Sequence, residues 1–307
     1  MCTGSRVSWL VAVVGGVVAL GGPVPALAGQ TASPAPMVSE ARSDDGLALT
    51  VFTVPYLGLE TSPSVLVGVE VRGLVETVSG APSGPRQLDV SYAAVSGFSQ
   101  IAEQTVTMGL SEQTARRAAR EGARVFGRLS LAPGTYTLRL MVRDSGDRRA
   151  VSTTHTFTVP NLRESPITMS GLVVTASDVG GATQGDVDEG DRTLLILGRP
   201  PTGRRQFSRR EQLEVNAEIY TVPPTVPDDD IDQQLRVTTS LVASDGGVVF
   251  ELADLGGSET LPNGVYGYWH YALVQVASVA PGPYTLTVSV SDGVSSAAQS
   301  MPITIVD

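Results

Sequence analysis

The chain has 307 residues and a net charge of −10, a length that allows about two domains with separate hydrophobic cores. Its only cysteine, Cys2, lies within the first 28 residues, so disulfides, thiol catalysis and cysteine-bound zinc are excluded for the rest of the chain. Residues 161–307 carry 8 arginines against 19 acidic residues, a net charge of −11 that repels polyanions, and we expect no nucleic acid partner.

Residues 1–28 have the features of a secretory signal peptide. Arg6 precedes the apolar run Val7–Leu20, and Ala26–Ala28 supplies the small residues that a signal peptidase reads. At about 14 residues the run is short for a membrane span, although an uncleaved anchor is the alternative. We therefore predict cleavage near Ala28, a periplasmic or extracellular chain, and no membrane span in the mature protein.

Residues 29–45 are small, polar and proline-containing, and they predict a disordered lead. Alternating apolar residues then predict strands, beginning with Leu47–Tyr56 and Ser64–Leu74. One short helix interrupts them at Ser111–Glu121, where Ser111 can cap the start and Gly122 can close the end. We interpret the basic side of this helix as a solvated surface, with an anion-binding face as the alternative; its arginines are Arg116, Arg117, Arg120 and Arg124.

A repeated corner indicates two similar units. The sequence Ala-Pro-Gly-Thr-Tyr ends at Tyr136, and Ala-Pro-Gly-Pro-Tyr ends at Tyr284. In immunoglobulin-type sandwiches a tyrosine near the start of the penultimate strand hydrogen-bonds back across such a corner. The predicted fold is all-β, with two tandem immunoglobulin-like or fibronectin-III-like β-sandwiches and one short helix in the first. They span residues 46–160 and 167–307, joined by a linker at residues 161–166.

An acidic loop in the second unit is a weak candidate for a metal site. Asp186, Asp188 and Asp191 follow an alternate spacing that is found in calcium loops. The full pattern needs glycine at position six and glutamate at position twelve, whereas Gly190 is fifth and Leu197 is twelfth. We interpret the loop as solvated and expect no cofactor, and a looser calcium site is the alternative.

Two further segments are weak candidates for ligand binding. Arg204 and Arg205 belong to the one concentrated basic patch, which we expect to pair with the acidic residues of its own unit or with the neighbouring unit. Residues 264–276 form the most aromatic strand. Trp269 and Tyr271 fall on one face of it, whereas Tyr266, Tyr268 and His270 fall on the other. One face must be core, and for the other we favour contact with the first unit over an exposed aromatic surface.

No residue pattern in the chain predicts catalysis. His155 and His270 each lie in the middle of a predicted strand, without a nucleophile motif around them. The Gly-x-Ser-x-Gly, His-Glu-x-x-His and phosphate-binding glycine motifs are absent. We therefore predict that the chain is not an enzyme, and hydrolysis by dispersed carboxylates is the alternative.

Several stretches resemble a known family of secreted proteins. LAPGTYTLRLMVRD at residues 131–144, SPITMSGLVVTAS at 165–177 and RPPTGRRQFSRREQLEVNAEIY at 199–220 resemble, over approximately residues 85–290, the region downstream of the von Willebrand factor A-type domain in secreted acidobacterial proteins. The A-type domain itself is absent, because the chain has no Asp-x-Ser-x-Ser metal-ion-dependent adhesion motif. The resemblance implies a tandem β-sandwich stalk or accessory portion, and it assigns no functional residue.

Together these observations predict a secreted, non-enzymatic binding or structural protein of the cell envelope. Its loops or its aromatic strand would bind a protein or glycan partner. The alternative is a carbohydrate-active accessory or hydrolytic protein, in which Tyr266, Tyr268 and Trp269 stack on sugars beside paired carboxylates.

Overall fold

A computed structural model describes most of the chain. The described residues are 38–58, 63–75, 86–146, 148–177, 180–185, 199–222, 235–256, 258–261 and 264–307. They all belong to one compact unit. The predicted signal peptide and the candidate calcium ligands Asp186, Asp188 and Asp191 lie outside the described residues.

Strands dominate both halves of the described chain, and one helix lies in the first half. The first half contains β1 (Val38–Arg42), β2 (Ala48–Leu57), β3 (Pro63–Arg72), β4 (Arg86–Ser96), β5 (Ser99–Leu110), α1 (Glu112–Glu121), β6 (Ala123–Ser130), β7 (Gly134–Asp144) and β8 (Ala150–Val159). The second half contains β9 (Ile167–Met169), β10 (Val173–Ala176), β11 (Ala182–Gly185), β12 (Gln206–Ser208), β13 (Gln212–Thr221), β14 (Leu235–Ala243), β15 (Val248–Gly256), β16 (Glu259–Thr260), β17 (Tyr266–Gln275), β18 (Gly282–Ser291) and β19 (Ser296–Val306).

Each half is a two-sheet sandwich, which confirms the predicted all-β fold. The first sandwich packs the sheet β1-β2-β3-β6-β11 against the sheet β5-β4-β7-β8. The second packs β10-β13-β17-β16, with β9 beside β13, against β12-β19-β18-β14-β15. Every second residue of a strand points to the same face, and in each sandwich that face lines the core. On β3 these residues are Val65, Val67, Val69 and Val71, and all four are buried. Burial of such apolar side chains contributes most of the stability of each sandwich.

The tyrosine corners have the predicted geometry in both sandwiches. The hydroxyl of Tyr136 donates to the carbonyl oxygen of Ala132 at 2.9 Å. The hydroxyl of Tyr284 donates to that of Ala280 at 2.7 Å. In each case the bond spans four residues across the turn, so it fixes the entry into the penultimate strand. The corners belong to the scaffold, as their repetition indicates.

Helix α1 begins and ends where its capping residues predict. The Ser111 side chain accepts from the backbone N–H of Thr114 at 3.2 Å, which satisfies a donor that the first turn leaves free. Gly122 has φ of 87°, a left-handed conformation that glycine adopts without strain, and its N–H donates to the carbonyl of Ala118. Ala115 and Ala118 face the protein.

Part of the segment that was predicted to be a disordered lead forms a strand. Val38–Arg42, inside the predicted disordered segment 29–45, forms β1 and pairs antiparallel with β2. Ser39 shares a 3.0 Å hydrogen bond with Nδ1 of the buried His155, which further holds the strand in place. The prediction was wrong at these positions because the pairing partner, not the composition, makes the strand.

One strand crosses the predicted boundary between the units. Ala182–Gly185 pairs in parallel with β6 and so completes a sheet of the first sandwich, although it belongs to the second half of the chain. Arg124 donates to the carbonyl of Gly180, and the N–H of Gly181 donates to Glu121 at 2.7 Å. The two halves are therefore connected by backbone pairing as well as by the linker.

Candidate functional site

The outer face of one sheet of the first sandwich is buried against the second sandwich. β2, β3 and β6 direct large apolar side chains away from their own core. We call this contact the junction; its apolar residues are Phe52, Val54, Tyr56, Leu66 and Phe126 from the first sandwich and Val173 and Trp269 from the second. The rings of Phe52 and Phe126 meet edge to face with centroids 6.4 Å apart. A junction of this kind resists hinge motion between domains.

A second apolar cluster extends the junction toward the linker. It contains Leu57, Leu162, Tyr220 and Leu261, and Trp269 packs against it as well. The Tyr220 hydroxyl accepts from the backbone N–H of Leu57 at 2.9 Å and donates to Glu218. Burial, together with the Glu218 carboxylate, raises the pKa of Tyr220 well above its usual value. The phenol therefore stays neutral and fixes the two backbones relative to each other.

Glycines allow the two backbones to approach closely at the junction. The N–H of Gly171 donates to the carbonyl of Pro55 at 2.8 Å. A Cβ on Gly171 would lie 3.0 Å from a methyl carbon of Val54, and one on Gly203 would lie 2.6 Å from the ring of Phe52. Any larger residue at position 203 would displace the phenylalanine, so this glycine is required by contact between the sandwiches.

Glu70 is the polar centre of the junction. Its alternation on β3 predicts that it faces outward, yet its residue exposure is 3%. The carboxylate accepts from the Thr202 hydroxyl at 2.6 Å and from the Gly203 N–H at 2.9 Å. Arg124 Nε lies 3.6 Å away. Burial lowers the pKa of Arg124, and Glu70 opposes that shift by stabilising the charged form. The buried ion pair is tolerated because each side chain also has hydrogen bonds of its own. Glu70 accepts the two described above, and Arg124 donates to the carbonyl oxygen of Gly180.

The aromatic strand β17 does not offer one exposed aromatic face. Tyr268 and His270 point to the core side, where the Tyr268 hydroxyl donates to Asp254 at 2.5 Å and His270 Nε2 lies 2.7 Å from the Thr239 hydroxyl. Burial lowers the pKa of His270, so this ring stays neutral. Trp269 faces the opposite way into the junction. Tyr266 is half-buried. A sugar would therefore not meet Tyr268 and Trp269 on the same surface.

The candidate arginines Arg204 and Arg205 lie beside the junction. Arg204 forms an ion pair with Glu211, and its guanidinium carbon lies 5.0 Å from the centroid of the Phe207 ring. Arg205 donates to the Arg204 carbonyl at 3.0 Å. Burial lowers the pKa of Arg205 to about 10, and nearby Glu70 works against that shift. Arg204 thus binds an acidic residue of its own sandwich.

The structure brings basic residues from distant parts of the sequence into one cleft. We call it the arginine cleft, and its volume is about 650 Å³. Its arginines are Arg72 from β3, Arg120 from α1, Arg124 from β6 and Arg204 from the second half. Burial lowers the pKa of Arg124, and the nearby positive charges of Arg72 and Arg204 lower it further. Asp178, between the lining residues Ser177 and Gly180, lies outside the described residues.

Sequence reasoning found the basic helix and the basic patch separately and missed the cleft. Arg72 has the sequence position of an ordinary outward residue at the end of a strand. About 130 residues separate it from Arg204. The parallel pairing of β11 with β6 brings Gly180 beside α1, and no local pattern predicts such a pairing. A cluster assembled by long-range contacts leaves no spacing in the sequence by which to find it.

Among the described residues, no three histidine, cysteine, aspartate or glutamate side chains come together in an arrangement that would hold a metal ion. The predicted solvated loop at Asp186, Asp188 and Asp191, and its alternative of a looser calcium site, lie outside the described residues. Within the same described part of the chain, no helix has the length and apolarity needed to cross a bilayer.

No protein-family model matches the chain, and no curated protein matches it. Solved structures give weak similarity. Dimeric latent PorU from Porphyromonas gingivalis is 15% identical over 87% of this chain and 21% of its own, with a TM-score of 0.29. A β-glucuronidase from Parabacteroides merdae is 9% identical over 81% of this chain and 28% of its own, with a TM-score of 0.26. Fibronectin(III)-like modules of Clostridium thermocellum CbhA are 14% identical over 78% of this chain and 84% of their own, with a TM-score of 0.17. The chain spans about a fifth of PorU, and these similarities assign no activity to it.

Proposed function

We propose that the chain is an exported, non-enzymatic binding or structural protein of the cell envelope, in which the two sandwiches act as one rigid body. The junction carries this proposal. It buries large aromatic and aliphatic side chains on the outer face of a sheet that would otherwise face water. A fixed pair of sandwiches suits a protein that spaces or presents a surface.

Three features of the sequence support export. The first 28 residues combine an arginine, an apolar run and small residues at the expected cleavage site. The rest of the chain has no cysteine and so folds independently of the redox state of its compartment. The resemblance to a region of secreted acidobacterial proteins agrees with both.

Export is tested by expression of the full chain in a bacterial host and by sequencing the N-terminus of the product. Cleavage after Ala28 predicts that the recovered chain begins at Gly29 and is found in the periplasm or the medium. A matched chain with Val13→Asp and Val14→Asp in the apolar run is the control, because charges there prevent recognition of the leader. Recovery of the uncleaved parent chain from the cytoplasm would contradict the proposal.

The arginine cleft is the surface that we assign to an acidic group of the envelope partner. Arg124 and Arg204 are held by Glu70 and Glu211, and their side chains are mostly buried. Arg72 and Arg120 are exposed and line the cleft, although the Arg72 guanidinium also lies 4.0 Å from Glu70. Their two exposed guanidinium groups are therefore the ones that a partner carboxylate or phosphate can reach. Arginine suits this role because its planar fork binds such groups with two parallel hydrogen bonds.

The partner surface is tested by capture from a solubilised envelope extract. The variant with Arg72→Ala and Arg120→Ala should lose the captured partner and the dependence of capture on salt. The control with Arg116→Ala and Arg117→Ala removes the same total charge, here from α1 alone, and should keep both. Equal capture by the two variants would exclude the cleft while leaving the export result untouched.

A further inference from the structure

The arginine cleft is assembled from both halves of the chain. Arg72, the last residue of β3, and Arg120, in the last turn of α1, line it from the first sandwich. Ser177, which directly follows β10, lines it from the second half. All three residues are exposed. The cleft therefore offers donor groups that come from three separate elements.

The Ser177 hydroxyl is held in place without its own proton being used. Its oxygen accepts from the backbone N–H of Gln212 at 3.0 Å, and the Ser177 N–H donates to the carbonyl oxygen of Gln212 at 3.0 Å. In the part of the chain that the structure describes, no acceptor takes the hydroxyl proton of Ser177. A serine hydroxyl donates and accepts at the same time, so this one can donate to a ligand in the cleft.

The carboxylates around the cleft are already engaged. Glu121 also lines the cleft, and it accepts from the Gly181 N–H at 2.7 Å and pairs with Arg117 at 3.4 Å. Glu70 and Glu211 hold the two buried arginines. Four guanidinium groups against three carboxylates leave one surplus positive charge among the described residues of the cleft, although the net charge of the whole chain is −10. A local concentration of positive charge in a cleft attracts an anion.

A phosphomonoester matches these donors better than a carboxylate does. A carboxylate has two oxygens and one charge, and a single guanidinium fork takes both oxygens. A phosphomonoester has three terminal oxygens and a charge of about −1.5 to −2 near pH 7. Two exposed guanidinium groups balance that charge, and with the serine hydroxyl they supply donors for all three oxygens. The cleft volume of about 650 Å³ lies within the range of about 300–1,000 Å³ that is usual for small ligands.

We propose that a phosphomonoester bridges Arg72, Arg120 and Ser177 in the arginine cleft and thereby clamps the two halves of the chain together. The inference rests on the proposed function, since it names the acidic group that the cleft would take. The clamp acts beside a backbone contact between the halves, in which the N–H of Ala182 donates to the carbonyl oxygen of the cleft residue Gly122 at 3.1 Å. A ligand that only the assembled halves bind stabilises them by mass action.

Binding is tested by calorimetric titration of the purified protein with inorganic phosphate, and with acetate in parallel, at constant ionic strength. We expect a dissociation constant on the order of 1 mM for phosphate and one at least about tenfold higher for acetate. The variant with Arg72→Ala and Arg120→Ala should lose phosphate binding. The control with Arg139→Ala and Arg143→Ala removes two exposed arginines from β7 and should keep it. Equal affinities for the two anions, or equal phosphate binding by the two variants, would overturn the proposal.

The bridging geometry is tested by conservative substitutions. The variant with Arg72→Lys and Arg120→Lys keeps both charges but loses the planar forks, and it should bind phosphate severalfold more weakly. Ser177→Ala should also weaken binding, whereas Ser177→Thr retains a hydroxyl and should restore most of it. Parent affinity in the lysine variant or in Ser177→Ala would mean that charge alone attracts the anion, and would overturn the bridge.

The clamp is tested by hydrogen exchange of the peptide that contains Ala182. At a phosphate concentration ten times the dissociation constant, exchange of the Ala182 amide should slow by up to about tenfold, because the ligand must leave before the halves separate. The variant with Arg72→Ala and Arg120→Ala should show no such slowing. Unchanged exchange in a parent protein that binds phosphate would overturn the clamp.

Two further probes separate the sources of a phosphomonoester. Glucose 6-phosphate presents the group in solution, and vesicles that contain phosphatidic acid present it on a membrane. We expect binding to the sugar phosphate without flotation on the vesicles, because the chain has a net charge of −10 and an anionic bilayer repels it. Failure of both probes to bind would overturn the proposal. None of these measurements needs the envelope partner, so phosphate binding without partner capture would count against the proposed function alone, and capture without phosphate binding against this inference alone.

Discussion

The two sheets of the first sandwich differ in the polarity of their outer faces. β2, β3 and β6 direct Phe52, Leu66 and Phe126 outward, and the second sandwich covers all three. β4, β7 and β8 direct residues such as Ser91, Arg139, Ser152 and Thr154 outward, and these line an open, shallow groove. Both sheets alternate with the same period and share one core. The difference between their outer residues shows which face is an interface.

The run of apolar residues along a strand indicates how many of its faces are buried. A strand with one wet face alternates between apolar and polar residues, whereas a strand that is buried on both faces is almost continuously apolar. The segment Thr50–Leu57 is nearly all buried and carries aromatic residues on the face away from its own core. Such a run in an antiparallel sheet indicates a second layer, here the second sandwich.

The largest expected effect is at the junction. Phe52→Ala removes a buried ring that packs between Phe126 and the glycines 68 and 203, and should lower the free energy of unfolding by about 4 kcal/mol. Met141→Ala on the exposed sheet is the control and should change it by less than about 0.5 kcal/mol. Urea titration measures both. Similar small effects would mean that the junction does not couple the sandwiches.

The polar centre of the junction gives the next effect. Glu70→Ala leaves the buried Arg124 guanidinium without its ion pair and the Thr202 hydroxyl without its acceptor. We expect a loss of about 3 kcal/mol in urea unfolding, because an uncompensated buried charge is costly. Glu103→Ala, an exposed carboxylate on the other sheet, is the matched control. If Glu70→Ala cost no more than the control, Arg124 would have another partner.

Acid should weaken the connection between the two sheets of the first sandwich. His155 is buried and lies 3.1 Å from the Thr53 hydroxyl, and burial lowers its pKa to about 4. Between pH 6.5 and 4 the unfolded chain binds a proton that the folded chain excludes, so stability is full above pH 6.5 and falls as the pH drops. The contribution is about 3 kcal/mol at most, from a shift of about 2.5 pH units.

Urea unfolding at a series of pH values, for the parent and for His155→Gln, measures this contribution. The parent should lose more stability than the variant between pH 6.5 and 4, since the variant has no proton to bind at this position. Curves that run parallel in the two proteins would assign the acid sensitivity to other groups, among them His270.

The smallest effect concerns the corners. Tyr136→Phe and Tyr284→Phe each remove one hydrogen bond to a backbone carbonyl and keep the ring. Each should cost about 1 kcal/mol in thermal unfolding. Tyr136 is the more buried of the two, so its loss should be the larger. A larger loss for Tyr284→Phe would indicate that the corner of the second sandwich contributes more to stability.

Local signals in the sequence predicted much of the scaffold. They placed three features at the residues where the structure has them: the corner tyrosines, the helix N-cap at Ser111 and the helix C-cap at Gly122. These features depend on contacts within a few residues, and the residue types that form them are few. The alternation of β3 and β17 also assigned side chains to the correct faces, since a strand turns each neighbour to the opposite side.

The chain by itself thus determined its fold class, the two corners, the helix and the faces of its strands. Only the tertiary structure decided that β1 is ordered, that β11 joins the first sandwich, that Glu70 is buried, and that arginines from three distant segments line one cleft. The reason is physical. Turns, caps and alternation depend on neighbours in the sequence, whereas an interface is specified by two surfaces whose residues meet only after both sandwiches have formed.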